Sequence, residues 1–421
     1  MSKGKHKRGY LLLLNMAFLG VLAGGCATLR NASLSDTVPQ PYREQYAEQH
    51  LAYRWCHLNG EYTRLFVQIP SNLLATSDSS YLHIELFADE RSERLVWQID
   101  TLLRCTFGVA DSGSRAFKIP LSVNFLVPLT ERTINHLHLA FWQKGRIKAR
   151  HSAVLRKTSR ASADNFFIAN AQQQVLFHSF APVNTPLNIH YRQQQPDSLL
   201  VDYYQPLQQL ALPVYIEEKR PFLPDKPDSI FVVHRGHFIP QKTGTYRFRL
   251  TDDQFGEGFT VLCTDADFPR LTSSEDLAEV LRYITRRAEF DGIWKSSKRK
   301  TAVDSFWLDR SGSFERGRQL IKIFYGRVER ANRFFSSYKE GWKTDRGLVY
   351  IIYGLPDHID QDLYGETWIY GYGAVEDGGT RFRFNETVLP FGKDFLLQRS
   401  PNYEPSWHDA VHRWRSGVVV R

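Results

Sequence analysis

Four side chains near the C-terminal end have the chemistry of acid–base catalysts: Asp345, Asp357, His358 and Glu366. A positioned carboxylate or imidazole can move a proton to or from a reacting group, so these residues are the candidates for a hydrolase acting on glycan or peptide. The sequence places no Gly-x-Ser-x-Gly elbow, His-Glu-x-x-His pair or glycine-rich phosphate loop beside them. We therefore assign no catalytic residue and expect no cofactor.

Two groups of residues have the types that bind metal ions. His136 and His138 alternate on one predicted strand and would point the same way, but no third ligand is evident. Four carboxylates crowd one predicted turn: Asp357, Asp360, Asp362 and Glu366. They lack the glycine and the spacing of a calcium loop. We interpret both groups as solvated polar residues and expect no metal site.

The elements that position these residues meet at Gly341. An amphipathic helix with an apolar stripe from Ile321 to Phe335 leads to this glycine, which stands where a C-cap glycine belongs. The run Leu348–Tyr353 is apolar on both faces and predicts a buried strand, which Pro356 closes.

This block resembles the GWxTD-domain family of bacterial envelope proteins. The residues that carry the signature are Gly341, Trp342, Thr344, Asp345, Arg346, Gly347, Tyr353, Gly354, Pro356 and Asp357. Upstream, Asp304 to Trp307 and Arg327 to Phe335 are similar to further family elements, as is Glu366-x-Trp368 downstream. The sequence departs from the usual family form at Leu355 and His358. The resemblance implies no activity, because the family has no established catalytic residues.

We interpret the signature as a structural corner. Trp342 is expected to be buried against the long helix, and Asp345 to accept backbone N–H bonds or to pair with Arg346 or Arg333. Lys343 is expected to be exposed and replaceable.

The N-terminus has the order of a lipoprotein signal peptide over residues 1–25. Basic residues precede an apolar run from Tyr10 to Ala23, which is shorter than the roughly 20 residues that span a bilayer, and two glycines precede Cys26. We predict that Cys26 becomes the lipidated N-terminal residue. No aspartate or acidic run follows it, and by resemblance to lipoprotein sorting signals this implies the periplasmic face of the outer membrane. Residues 26–55 then form a flexible tether.

Composition is that of a folded, exported chain of 421 residues, with 42% hydrophobic and 24% charged residues. The formal charge of +9 falls to about +5 once the signal peptide leaves, which gives no reason to expect nucleic acid as a partner. Basic residues concentrate between Lys295 and Arg330, where Arg327 is one of them. Interspersed acids favour a solvated helix face over a surface for anionic lipid or an acidic partner.

The remaining cysteines are Cys56, Cys105 and Cys263. An oxidising periplasm would permit one disulfide, such as Cys56 with Cys105, but spacing alone does not assign it. No Cys-x-x-Cys is present, which disfavours a structural zinc site or a thioredoxin-like redox site.

Periodicity predicts a multidomain β and α+β protein. Residues 56–160 alternate as in an antiparallel β-sandwich, and residues 161–268 predict a second β-sandwich-like unit. The proline-rich stretch Pro213–Pro227 is expected to be an exposed excursion. A capping box at Thr272–Glu275 opens a C-terminal α+β domain of the GWxTD type over residues 269–421, with a short helix from Ser406 to Trp414.

Two functional hypotheses remain. In the first, which we favour, the protein is a lipid-anchored, non-catalytic binding or scaffold protein whose partners are the membrane, through its N-terminal lipid, and envelope proteins or glycan. In the second, the C-terminal domain is a hydrolase that uses Asp345, Asp357 or Glu366 with His358. A pocket that joins Asp345 to another of these residues would favour the hydrolase.

Overall fold

A computed structural model of the chain describes residues 51–419, apart from gaps at 72, 75–79, 90–91, 104–106, 109–116, 119, 133, 157, 159–161, 193, 218–222, 225, 253–255 and 372–378. The predicted signal peptide, Cys26 and nearly all of the tether lie outside these residues. Within them, none of the helices combines the length and the apolar character needed to cross a membrane.

The first unit consists of two facing antiparallel sheets, as the alternating pattern predicts. One sheet contains β1 (Ala52–His57), β2 (Tyr62–Ile69) and β7 (Leu121–Pro128) in that order. The other has the order β4 (Leu95–Leu103), β3 (Ser80–Phe87), β8 (Ile134–Gln143) and β9 (Arg146–Arg156). The short strands β5 (Phe107–Gly108) and β6 (Phe117–Lys118) pair with each other. Apolar residues of both larger sheets form one core.

The histidine pair on β8 is not the solvated pair that the sequence predicted. His136 is buried, and the Nε2 atom of His138 lies 3.2 Å from the hydroxyl of Ser92 while its ring packs on Phe87. Burial lowers the pKa of His138 to about 4. No group of three metal-ligating side chains forms in the described part of the chain. The pair is therefore a packed part of the sandwich.

The second unit is also β-rich. A three-stranded sheet has the order β10 (Phe166–Ala169), β12 (Leu187–Tyr191) and β15 (His237–Phe238). A five-stranded sheet has the order β11 (Phe180–Pro182), β17 (Phe259–Thr264), β16 (Gly244–Leu250), β13 (Ser198–Tyr204) and β14 (Ser229–His234). Strands β11 and β17 run parallel, so this sheet is mixed rather than purely antiparallel.

Two cysteines lie within the described residues, and both are buried thiols. The sulfur of Cys56 lies 3.3 Å from the carbonyl oxygen of Asn165, and burial raises the pKa of Cys263 to about 12. Cys105, the cysteine that a disulfide with Cys56 would require, lies outside the described residues.

In the part of the C-terminal unit that the structure describes, six helices pack against one antiparallel sheet. The helices are α1 (Ser274–Glu279), α2 (Arg287–Lys295), α3 (Arg299–Ser311), α4 (Phe314–Phe335), α5 (Asp345–Tyr353) and α6 (Glu404–Arg415). The sheet has the order β18 (His358–Asp362), β19 (Gly365–Tyr370), β20 (Thr380–Leu389) and β21 (Gly392–Leu397). Helix α6 confirms the predicted terminal helix. This arrangement has the α+β class that the sequence predicted.

Three local predictions in this unit are wrong. The capping box lies one residue later than expected, because Ser273 and Asp276 exchange the two hydrogen bonds. Helix α4 ends at Phe335, so Gly341 is not its C-cap glycine. The run Leu348–Tyr353 is helical rather than extended, and Pro356 follows a helix.

Among its described residues, the predicted exposed excursion Pro213–Pro227 departs from the prediction only at its start, since Ile216, Glu217 and Lys226 are exposed. Val214 is fully buried in the core of the C-terminal unit. The amide of Ala211 donates to the carbonyl oxygen of Lys343 at 3.0 Å, and that of Ser400 donates to Val214. Residues 208–214, which we call the covering segment, therefore lie over the signature.

Candidate functional site

Helix α5 starts from the signature and runs through the middle of its unit. Thr344 is the N-cap: its hydroxyl accepts the amide of Gly347 at 3.1 Å and donates to the carbonyl of Gly341 at 2.7 Å. From Leu348 to Tyr353 every residue is buried. A helix surrounded by core needs no polar face, which explains why its sequence resembles that of a buried strand.

Two glycines permit the close packing of this corner. A Cβ atom on Gly341 would overlap the backbone of Ala331 in α4, and one on Gly347 would overlap the carbonyl of Gly341. Neither obstacle is a flexible side chain. Glycine is therefore needed here for close backbone approach, and not for the left-handed conformation that the sequence suggested.

The buried position predicted for Trp342 is confirmed. The side chain is 2% exposed, and its backbone amide donates to the Oδ1 atom of Asn332 on α4 at 3.0 Å. The indole nitrogen donates to Glu340 at 2.5 Å, and the ring meets Tyr283 edge-on. The hydroxyl of Tyr283 also donates to the carbonyl of Trp342. Trp342 thus joins α4 to the turn after α1.

Asp345 is a buried anchor, but its partners differ from those predicted. Its carboxylate accepts two bonds from the guanidinium of Arg399, at 2.6 and 3.0 Å, and one from the amide of Leu397 at 2.8 Å. Arg346 pairs with Glu366 instead, at 3.1 Å. Asp345 therefore fixes the start of α5 to the end of β21.

Lys343 is not exposed, contrary to the prediction. It is 2% exposed, and its Nζ atom lies 3.2 Å from Glu340 and 3.4 Å from the side-chain oxygen of Gln208. Gln208 belongs to the covering segment, which comes from more than 130 residues earlier in the chain. No local sequence pattern indicates that contact.

The other signature residues continue the same network. The hydroxyls of Tyr353 and Ser406 lie 3.0 Å apart, and burial raises the pKa of Tyr353. Gly354 has φ +89°, and a Cβ atom there would meet the guanidinium of Arg327. Asp357 accepts the amide of Gly371 at 2.8 Å. The first contact binds the end of α5 to α6, the second places the residue after α5 against α4, and the third joins the following loop to the end of β19.

Arg327 is buried, so it does not belong to the solvated basic face that the sequence predicted. Its Nη1 atom donates to the carbonyls of Ile351 and Ile352 at the end of α5, and its guanidinium lies over the ring of Trp414. Burial lowers the pKa of Arg327 to about 10. A cation that donates to the last carbonyls of a helix also complements its dipole.

The carboxylates predicted as solvated turn residues lie in the β18–β19 hairpin. Asp362 forms a bidentate pair with Arg383, at 2.6 and 2.8 Å, and Asp360 lies 2.5 Å from the Nε2 atom of His358. Glu366 is 1% exposed and bound to Arg346. The solvated interpretation is therefore wrong for Glu366.

A first cavity of about 280 Å³ lies where the three units meet, between β1, β9 and the C-terminal sheet. Asp362, Glu366 and Glu386 contribute carboxylates to its walls, but neither Asp345 nor His358 lines it. Two ion pairs connect units beside this cavity: Arg156 with Glu386 at 3.1 Å, and Lys393 with Asp164 at 2.9 Å.

A second cavity, of about 480 Å³, lies beside the signature itself. Its walls come from the end of β17, the loop that leads to α1, and the segment that contains Glu340 and Trp342. We call it the signature cavity. Its size falls within the range of small-molecule sites.

The family comparison matches this part of the chain. The model of the GWxTD domain matches residues 244–416, from the start of β16 to the end of α6. No curated protein sequence resembles the chain closely enough to count as a relative. The matched region contains the signature corner, the C-terminal sheet and all but two of the residues that line the signature cavity, Pro206 and Thr243. Over residues 244–416 the chain therefore contains a GWxTD domain.

Proposed function

We propose that the protein is a lipid-anchored, non-catalytic binding or scaffold protein of the bacterial envelope, held at the periplasmic face of the outer membrane by Cys26. Its folded units then reach partners from the end of a tether. The basic, apolar and small-residue order before Cys26 supports the anchor.

The proposal that the protein is non-catalytic rests on the contacts of the candidate acids, which bind other parts of the fold. Asp345 is bound by Arg399 and the amide of Leu397, and Glu366 by Arg346. Asp357 accepts a backbone amide. A general acid or base has to reach a substrate proton, whereas these carboxylates bind neighbouring segments of the fold.

The hydrolase remains the second candidate because four carboxylates of the described residues line the cavity between the units. Each already binds a cation: Glu366 binds Arg346, Asp362 binds Arg383, Glu386 binds Arg156, and Asp164 binds Lys393. These pairs hold the carboxylate oxygens against cations of the fold itself. The pairing therefore supports an ion-pair role over that of a proton donor.

The anchor can be tested by fractionation of envelopes that carry Cys26→Ser. We expect loss of acylation and transfer of the protein from the membrane to the soluble fraction, with Ala32→Ser in the tether as the matched control. A Cys26→Ser protein that stays in the membrane unprocessed would refute the anchor. Ala27→Asp tests the destination, since an aspartate after the cysteine should retain the lipoprotein in the inner membrane.

The binding role can be tested by crosslinking in intact envelopes, followed by quantitative mass spectrometry. We expect one envelope partner to be enriched with the wild-type chain and lost with Cys26→Ser. Turnover of envelope glycan or peptide by the purified chain, abolished by Glu366→Gln without loss of folding, would instead establish the hydrolase.

A further inference from the structure

The signature cavity carries an excess of negative charge. Among the described residues that line it, one, Arg270, carries a guanidinium, and five carry carboxylates: Asp265, Asp267, Asp276, Glu279 and Glu340. Two of the five have structural roles, because Asp276 caps α1 and Glu340 binds Trp342 and Lys343. The others leave the cavity anionic, although the chain as a whole is basic.

Glu279 is the distinctive member of this group. It is partly buried at the end of α1, and it makes no hydrogen bond or ion pair with the residues that the structure describes. The two cations that act on Glu279 are held elsewhere: Lys343 binds Glu340 and Gln208, and Arg282 lies over Phe290. Burial raises the pKa of Glu279. A half-buried carboxylate without a partner favours a cation that arrives from outside.

Thr264, the last residue of β17, provides an independent observation. It is 8% exposed, and its hydroxyl has no hydrogen-bond partner among the described residues. Side chains alternate along a strand, and Val261 and Cys263 of β17 enter the core of the second unit. Leu262 and Thr264 therefore share the other face of β17, and both line the cavity, as does Cys263 between them.

Apolar side chains complete the cavity. Leu262, Phe268 and Leu271 line it together with the carboxylates. A ligand that combines an aliphatic stem with a cationic head would cover the apolar wall and bring its charge to Glu279. Lysine-type side chains have this division between stem and head.

We propose that the signature cavity binds a primary ammonium group carried on an aliphatic stem, as in a lysine-type side chain of a peptide or in a free diamine. The ammonium group donates to the carboxylate of Glu279 and the hydroxyl of Thr264, and the stem packs on Leu262 and Leu271. An ammonium has three donors and no acceptor, which matches these groups. The inference rests on the proposed binding function and names the chemical class of its ligand.

The test is isothermal titration calorimetry of the full folded chain at low salt. The probes are the peptide acetyl-Ala-Lys-Ala-amide, cadaverine, and acetyl-Ala-norleucine-Ala-amide, which keeps the stem but lacks the ammonium. We expect the lysine peptide or cadaverine to bind with a dissociation constant below about 1 mM, and the norleucine peptide to give no heat. Binding of the peptide alone would identify a peptide source, and binding of cadaverine alone a small-molecule source.

Two glutamine variants make the test specific. Glu279→Gln should weaken binding by at least about tenfold, the usual effect of losing a hydrogen bond to a charged group. Glu275→Gln, on the same helix but outside the cavity, should leave it unchanged. Three results would overturn the proposal: Glu279→Gln binds as tightly as wild type, the norleucine peptide gives the same heat as the lysine peptide, or neither the lysine peptide nor cadaverine gives a binding signal. A Glu279→Gln chain that melts below wild type would overturn it too, by showing a structural role. None of these outcomes depends on the Cys26 anchor, so the two proposals fail separately.

Discussion

Loss of the charge on Asp345 should destabilise the C-terminal unit strongly. In Asp345→Asn the side-chain oxygen can still accept the amide of Leu397, but the guanidinium of Arg399 loses its carboxylate. The side chains of Asp345 and Arg399 are only 8% and 7% exposed, so solvent cannot replace the lost partner. Removing one partner of a buried ion pair costs about 3 to 5 kcal/mol of stability. Because the asparagine oxygen still accepts the amide of Leu397, we expect a loss of about 3 kcal/mol, at the lower end of that range.

Differential scanning calorimetry of the unlipidated chain is the suitable assay, because it separates the transitions of several units. For a unit of this size about 3 kcal/mol corresponds to a fall of roughly 6 to 12 °C in melting temperature. Asp309→Asn, at an exposed position on α3, is the matched control and should stay within about 1 °C of wild type.

A double-mutant cycle adds a second criterion. Arg399→Gln alone also leaves a buried charge unpaired, so the double variant should cost clearly less than the sum of the two single variants. Two results would refute the assignment of Asp345 as a buried structural anchor. Asp345→Asn could melt at the same temperature as Asp309→Asn, or the stability losses of Asp345→Asn and Arg399→Gln could add up to that of the double variant.

Three further predictions concern other parts of the fold. Gly341→Ala should lower the free energy of unfolding by about 1 to 3 kcal/mol, because its Cβ would overlap the backbone of Ala331. Gly292→Ala, which has open space around it in α2, should raise the free energy of unfolding by about 0.5 to 1 kcal/mol. Equal melting temperatures of the two variants would contradict this prediction. Lys343→Ala should lower the free energy of unfolding by about 1 to 3 kcal/mol, because it loses the contacts with Glu340 and Gln208. Lys322→Ala, at an exposed position, should change it very little. Equal urea midpoints of the two variants would show that the covering segment does not hold Lys343. Burial lowers the pKa of His138 to about 4, so the unfolded chain binds the proton first as the pH falls, and the free energy of unfolding should decrease between about pH 6.5 and pH 4. His138→Gln should remove about 2 to 3 kcal/mol of that decrease. Because Glu85 and His136 still face the site in this variant, an unchanged pH profile of stability would show that protonation of His138 does not cause the decrease.

The sequence predicts well those features that depend on neighbouring residues. Alternating apolar residues indicate both β-rich units, and the stripe on α4 gives its buried face, including Phe324, Val328 and Phe335. The burial of Trp342 is also predictable, because a large aromatic side chain at a chain corner is stabilised by removal of its apolar surface from water.

The errors come from contacts between distant segments. Lys343 looks replaceable in sequence, and only the covering segment, far upstream, buries it. Likewise Asp345 has Arg346 beside it in sequence but binds Arg399, because α5 directs the two side chains to different elements.

The strand predicted over Leu348–Tyr353 shows a limit of periodicity. A helix buried on all sides and a strand buried on both faces have the same uniform apolar pattern. The N-cap at Thr344 and the acidic residue after it are the local features that indicate a helix there. They outweigh the β-branched residues Val349, Ile351 and Ile352, because tertiary burial overrides propensity.

Amide hydrogen exchange of the folded chain tests most directly whether the signature is a structural corner. The amide of Leu397 donates to Asp345, and that of Ala211 donates to Lys343. We predict strong protection of both amides in the wild-type chain, and faster exchange across residues 395–399 in Asp345→Asn, with Asp309→Asn unchanged. Protection at Leu397 that stays the same when the charge of Asp345 is removed would contradict the structural account of the signature.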